Sequence, residues 1–141
     1  MITVLLVDDH AIILKTLQYL IERSKDIQVI ATASSGLEAL AQVSSRCPDV
    51  ILMDISMPHM DGIEATRQIL THCPATRVLM LSTYDTPEYI RRTLEVGAKG
   101  YVLKDNVSKD LLDGIRTLSI GKHYFSQTIA GIAEKYLLER K

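Results

Sequence analysis

Four apolar runs in this chain each end in a side chain able to handle a divalent cation or a phosphoryl group. The most pointed is Val50-Ile51-Leu52-Met53-Asp54, where a lone carboxylate closes the run ahead of Pro58 and Gly62. An unbroken run of this kind reads as a parallel strand buried on both faces and ending at a turn. Ile2–Val7 likewise leads into Asp8 and Asp9, Arg77–Leu81 into Ser82 and Thr83, and Tyr101–Leu103 into Lys104 and Asp105. Three carboxylates brought together repel one another, so either some are protonated or a cation neutralises them. Oxygen ligands from a few carboxylates, with room left for water and a phosphate, suit Mg²⁺ better than a metal that prefers His or Cys. An ammonium (Lys104) and a hydroxyl (Ser82) facing that metal could hold phosphoryl oxygens. Asp54 is then the candidate nucleophile, attacking phosphorus in line to give an aspartyl phosphate. Each residue alone has a plainer reading. Asp54 could cap its turn, Asp8 and Asp9 could cap the first helix, Lys104 could be a solvated charge, Ser82 a turn hydroxyl and Tyr101 packing. The coincidence of four strand ends favours the chemical reading.

Alternating elements must carry these groups to one place. After strand one, Ile13, Leu17, Leu20 and Ile21 recur at helical spacing from about Ala11. Ile27–Ala33 reads as strand two. Ser35 with Glu38 forms a capping-box signature for a helix carrying Leu37, Leu40 and Ala41, which Pro48 ends. Asp61 and Glu64 repeat that spacing before a helix with Ile63, Ile69 and Leu70, stopped by Pro74. Thr86-Pro87 opens a fourth helix and Gly97 closes it; Ser108 opens a fifth, with Leu111, Leu112, Ile115 and Leu118 inside and Gly121 at its end. Five strand-helix repeats predict an α/β fold: a doubly wound, five-stranded parallel sheet of flavodoxin-like (βα)5 type, order 2-1-3-4-5. In that order strands one and three flank the switch point, where ligands bind in open α/β sheets. Residues 122–141 read as lying outside this core, with Ser126 capping an extra helix striped by Ile129, Ile132, Ala133, Tyr136 and Leu137 before a charged Glu139-Arg140-Lys141 tail.

At 141 residues the chain is the size of one domain, and its net charge of -1 makes no electrostatic case for nucleic acid or a membrane surface. No apolar run nears the roughly 20 residues of a membrane span, and Met1–Val7 is too short and uncharged for a signal peptide, so a cytoplasmic protein is expected. Cys47 and Cys73 lie in separate Cys-Pro pairs without metal-knuckle or redox-motif spacing, and both are expected to be reduced, buried thiols.

The motifs Val7-Asp8-Asp9-His10, Met53-Asp54-Ile55-Ser56-Met57-Pro58-His59-Met60-Asp61-Gly62, Leu81-Ser82-Thr83 and Gly97-Ala98-Lys99-Gly100-Tyr101-Val102-Leu103-Lys104-Asp105 together resemble the receiver domain of bacterial two-component response regulators. The resemblance covers about residues 2–121, giving a receiver domain over 1–121 and a linker helix over 122–141. It implies that Asp54 accepts phosphate from a histidine kinase. It further implies that Asp9, Asp54 and the backbone carbonyl of Ser56 bind Mg²⁺ directly, with Asp8 acting through water. Lys104 would bind the phosphoryl oxygens, Ser82 would follow the phosphoryl group, and Tyr101 would turn inward as Ser82 moves. The resulting change would reshape the face of helix four, strand five and helix five, including Arg91 and Leu94, and could drive homodimerisation. Ser56 and Tyr84 would lie within reach of the phosphoryl group.

Asp8-Asp9-His10, and Asp105 where many receivers have Pro, look like the NarL/FixJ branch. Proteins of that branch continue into a LuxR-type helix-turn-helix that binds promoters; DNA would be contacted only through that domain, which is absent from this sequence. The final helix is therefore read as the start of an interdomain linker, the alternative being a stand-alone receiver whose last helix packs on its own core. The resemblance implies a signalling switch rather than an enzyme turning over an external substrate. A haloacid dehalogenase-type phosphatase would be expected to show Asp-x-Asp, whereas Ser56 is the second residue after Asp54. A flavodoxin-type cofactor binder would need a hydroxyl- and glycine-rich loop after strand one, where Asp8-Asp9-His10 stands instead. A pseudo-receiver that only binds partners is opposed by the completeness of the site.

Overall fold

A computed structural model describes residues 1–140. The chain alternates β1 (Ile2–Val7), α1 (Ala11–Glu22), β2 (Ile27–Ala33), α2 (Gly36–Ser45), β3 (Val50–Asp54), α3 (Gly62–His72), β4 (Arg77–Ser82), α4 (Pro87–Glu95) and β5 (Gly100–Leu103). After a short 3₁₀ turn, Lys104–Asn106, come α5 (Val107–Ser119), β6 (Tyr124–Phe125) and α6 (Gln127–Glu139). The strands form one parallel sheet in the order β2-β1-β3-β4-β5-β6. The flavodoxin-like order read from the sequence is present, with a sixth strand added beyond it.

Strand alternation divides the core into two layers. Leu5, Val7, Ile51, Met53, Val78 and Met80 face α2, α3 and α4, while Val4, Leu6, Val50, Leu52, Leu79 and Leu81 face α1 and α5. The Ser35 hydroxyl accepts from the Glu38 amide at 3.1 Å and Asp61 accepts from the Glu64 amide at 2.9 Å, so both predicted caps form. In α2 the buried stripe is Gly36, Ala39 and Val43, and Leu37 points outward. The fifth helix begins at Val107, because the 3₁₀ turn takes the residues ahead of Ser108. Gly97 (φ +106°) and Gly121 (φ +86°) adopt the left-handed conformation that ends α4 and α5.

Two expectations need correction. Residues 122–140 are built into the core: β6 extends the sheet beside β5, and Ile129 and Ala133 are fully buried in the same layer as Ile90 and Leu94 of α4. The stripe noted in the sequence is thus covered by this chain's own α4 and β5 layer. Lys141, part of the charged tail, lies outside the described residues. The second correction concerns the cysteines. Cys47 and Cys73 form a disulfide, with Cα atoms 5.8 Å apart, and Cys47 is exposed. The C-terminal ends of α2 and α3 lie side by side, so thiols 26 residues apart in sequence meet where no sequence motif announces it.

Closing a loop of that length restricts the unfolded chain. Reduction, or the pair Cys47→Ser and Cys73→Ser, is therefore expected to lower the unfolding free energy by about 3 kcal/mol. Urea denaturation with and without reductant measures the difference, and the serine pair should be insensitive to reductant.

Candidate phosphoryl and metal site

Strand register delivers the polar groups to one edge. Val7 pairs with Met53, which sets Asp8 beside Asp54; Asp54 pairs with Leu81, and Ser82 pairs with Leu103, just ahead of Lys104. Asp8, Asp9, His10 and Asp54 offer ligand atoms that all lie within 4.8 Å of one another. Lys104 Nζ is 3.1 Å from Asp54 Oδ1 and 3.8 Å from Asp8 Oδ2. The Ser56 amide also donates to Asp54 Oδ1, at 3.3 Å. Gly62 starts α3 against the same point: a Cβ there would stand 2.2 Å from the Asp54 carbonyl oxygen, so only glycine lets the helix approach so closely.

Asp8 and Asp54 are almost completely buried, whereas Asp9 keeps about a quarter of its side chain exposed (26%). Asp8 Oδ2, Asp9 Oδ1 and Asp54 Oδ2 are buried atoms without a geometrically sound hydrogen bond among the described residues. Burial first, and then the Asp8 charge, push the Asp54 carboxyl up to about 6, against the opposing pull of Lys104. Three orphaned carboxylate oxygens around one point are the donor set of a hard divalent cation, and the residues present fit one.

His10, which no sequence motif singles out as a site residue, joins the cluster. Its Nδ1 lies 2.9 Å from Asp8 Oδ1 and 3.0 Å from Asp9 Oδ1, and its amide donates to Asp8 Oδ1 at 2.9 Å. The hydrogen bond to Asp8, then the charges of Asp9 and Asp8, raise the imidazole above its usual pKa. Asp8 therefore holds the turn, and neither acid caps α1 through its side chain. The available signal was the position of His10 directly after the paired acids.

Ser82 and Tyr101 grip the same residue. The Tyr84 amide donates to Ser82 Oγ at 2.9 Å, and the buried Tyr101 hydroxyl donates to the Tyr84 carbonyl at 2.6 Å. The Tyr84 ring stacks on Tyr89 of α4, with centroids 4.5 Å apart and planes within 6°. Tyr101 is already inward, and Tyr84 is engaged by α4. Of the two α4 residues named for the face that would be reshaped, Arg91 is exposed and Leu94 is buried.

Residues 4–116 match the response regulator receiver domain family. This chain belongs to that family. It is 37% identical over 129 residues to the uncharacterized transcriptional regulatory protein YxjL of Bacillus subtilis, covering 92% of this chain and 59% of that protein. It is 38% identical over 128 residues to the response regulator protein VraR of Staphylococcus aureus, covering 91% and 61%. The receiver thus spans about three-fifths of the length of these relatives. Among solved structures, a LuxR-family two-component response regulator from Aurantimonas superposes with a TM-score of 0.90 at 31% identity, over 97% of this chain and 98% of that one. The signal receiver domain of NarL from Mycobacterium tuberculosis gives 0.81 at 29%, over 86% and 98%. The receiver is accordingly similar to LuxR/NarL-type regulators.

The raised Asp54 carboxyl makes a prediction for the metal-free receiver. Between pH about 4 and 6 the folded state holds a proton that the unfolded state releases, so this group's contribution falls as pH rises through that window. Asp54→Asn removes the buried charge. It is expected to be more stable than the wild type at pH 7.5 by on the order of 2 kcal/mol, with the gap closing near pH 4. Paired urea titrations at the two pH values check this. Excess divalent cation should close the gap at pH 7.5 by stabilising only the wild type.

Proposed function

We propose that this receiver is a Mg²⁺-dependent phosphorylation switch in which Asp54 accepts a phosphoryl group from a histidine kinase. The observation that carries the reading is the meeting of Asp8, Asp9, Asp54 and Lys104 at one sheet edge with three carboxylate oxygens left unsatisfied. Asp9, Asp54 and the Ser56 carbonyl would hold the metal directly, with Asp8 acting through water. Mg²⁺ supplies charge neutralisation for the carboxylates and for the oxygens of the transferring group. An Asp54 carboxylate oxygen attacks phosphorus in line; the bond from phosphorus to the donor atom breaks, and the donor leaves with that electron pair. Lys104 now pairs with Asp54 Oδ1 at 3.1 Å, and a short swing of its ammonium onto the phosphoryl oxygens would offset the added negative charge.

Release of Tyr84 is the conformational consequence. Ser82 Oγ accepts from the Tyr84 amide, so a rotation of the side chain that carries the hydroxyl to the phosphoryl group breaks that contact. The Tyr101 bond to the Tyr84 carbonyl and the Tyr84–Tyr89 stack then carry the motion to α4. Homodimerisation through the reshaped α4 side follows in this reading. The similarity to a transcriptional regulatory protein and to LuxR-family regulators, each longer than the matched region or named for that output, supports promoter DNA as the eventual target through a separate helix-turn-helix domain. No helix among the described residues is long and apolar enough to cross a membrane; a switch coupled to a histidine kinase in this way would work in the cytoplasm. The site turns over its own acyl phosphate and serves as a switch, not as an enzyme for external substrates.

Incubation of the receiver with Mg²⁺ and acetyl phosphate should give a single phosphate adduct by intact mass, absent from Asp54→Asn and after chelation. Steady phosphate release from varied esters without an adduct would favour a hydrolase instead. Ser82→Ala should still take up phosphate yet lose at least half of the phosphate-induced amide-exchange change in α4. A full response in that variant would show that the β4 end is not the moving part.

A further inference from the structure

The sequence assigns Ser126 to cap the last helix, but its hydroxyl is spent elsewhere. Ser126 Oγ makes no hydrogen bond to its own helix. It accepts from the Leu103 amide at 3.0 Å and donates to Asp110 Oδ2 at 2.8 Å, while the Ser126 amide donates to the Tyr101 carbonyl at 3.0 Å. Ser126 therefore grips β5 on both sides of Val102, between the inward aromatic Tyr101 and the residue that precedes Lys104. The chain turns into α6 at this point, and the serine hydroxyl takes the place of the next ladder carbonyl for the Leu103 amide.

Asp110 explains why the arrangement is rigid. It is a buried carboxylate of α5 with no basic partner among the described residues, and its oxygens accept from the Ser126 hydroxyl and from the Tyr124 hydroxyl at 2.7 Å. Tyr124 reaches it across Gly114, where a Cβ would lie 3.3 Å from the ring. Asp110 can only accept in this setting, so the Ser126 proton must point to it and the hydroxyl lone pair is left aimed at Leu103. A buried carboxylate held by neutral donors alone is costly.

We propose that Ser126, oriented by Asp110, is a positioning residue for phosphorylation of Asp54: it pins the Leu103 backbone and so fixes the point from which Lys104 reaches the acid cluster. The proposal rests on the reading of Lys104 as the phosphoryl-binding ammonium. It also gives β6 and the start of α6 a direct hold on the site.

Ser126→Ala and Asp110→Asn in the full chain test it by three measurements. Phosphorylation of Ser126→Ala by acetyl phosphate at saturating Mg²⁺ should slow about tenfold, since small misplacements of a positioned group cost rate steeply. Mg²⁺ affinity by calorimetry should stay within about twofold, because the carboxylates that bind the ion are not pinned through β5; general damage to the fold would lower both. The double variant should be no slower than Ser126→Ala, since the two residues act as one unit. Amide exchange at Leu103 and Lys104 in the metal-free protein should accelerate in both single variants, while Ile51 and Leu52 stay protected. Wild-type rates in Ser126→Ala, additive losses in the double variant, or unchanged exchange at Leu103 would each overturn the proposal. If Ser126→Ala does not fold, Asp110→Asn alone decides, with a smaller loss of rate and faster Leu103 exchange expected. If the wild type takes no phosphate at all, the proposed function fails, and the exchange data still decide whether Ser126 pins this backbone.

Discussion

Mutual repulsion of three carboxylates at the end of the sheet is the constraint around which this receiver is built. Asp8 and Asp54 are carried into the interior by strands whose other residues are, Thr3 apart, apolar, and burial in a medium of low polarity makes their repulsion more costly than it would be in water. The fold offsets part of it with the Lys104 ammonium and the His10 imidazole, yet leaves an oxygen of each acid without a hydrogen bond among the described residues. A cluster so arranged is the donor set that a hard divalent cation would neutralise.

The surrounding architecture can be understood as what keeps this tension local. The acids sit at the C-terminal ends of β1 and β3, adjacent in the sheet, where the two crossover connections leave in different directions. Gly62 brings α3 against the Asp54 carbonyl, and the capped starts of α2 and α3 hold their loops without drawing on the carboxylates of the site. On the far side, β4 and β5 present Ser82 and Lys104 from a register that pairs Ser82 with Leu103, and a one-residue slip of either strand would exchange the side chains packed into the two helical layers. Tyr84 ties the ends of β4 and β5 to α4. Its backbone is held by Ser82 and Tyr101, and its ring is held by α4.

The C-terminal segment changes the picture of where the domain ends. A helix with an apolar stripe can be a linker or a packed element, and amphipathicity alone does not choose between them. Here the stripe is buried against α4, and the segment is hydrogen-bonded to β5 through Ser126. Any rearrangement of β5 or α4 is therefore felt by α6 directly.

The order of strands and helices, the identity of the four polar strand ends and two of the helix caps were legible in the sequence, because each is a local pattern: apolar runs with period two or 3.6, a capping residue at fixed spacing, a proline or glycine at a boundary. Asp8, Asp9, Asp54, Ser82 and Lys104 could be singled out because a polar group ending an apolar run stands out in one dimension. The disulfide, the His10 bridge, the grip of Ser82 and Tyr101 on Tyr84, and the diversion of Ser126 from its helix to β5 were decided only by the tertiary structure. Each joins residues whose meeting depends on how helices pack across the sheet or how a side chain divides its hydrogen bonds among competing partners. A serine before a helical stripe has the same sequence signature whether it caps that helix or holds a neighbouring strand, and only the position of Asp110 and Leu103 in space selects the second.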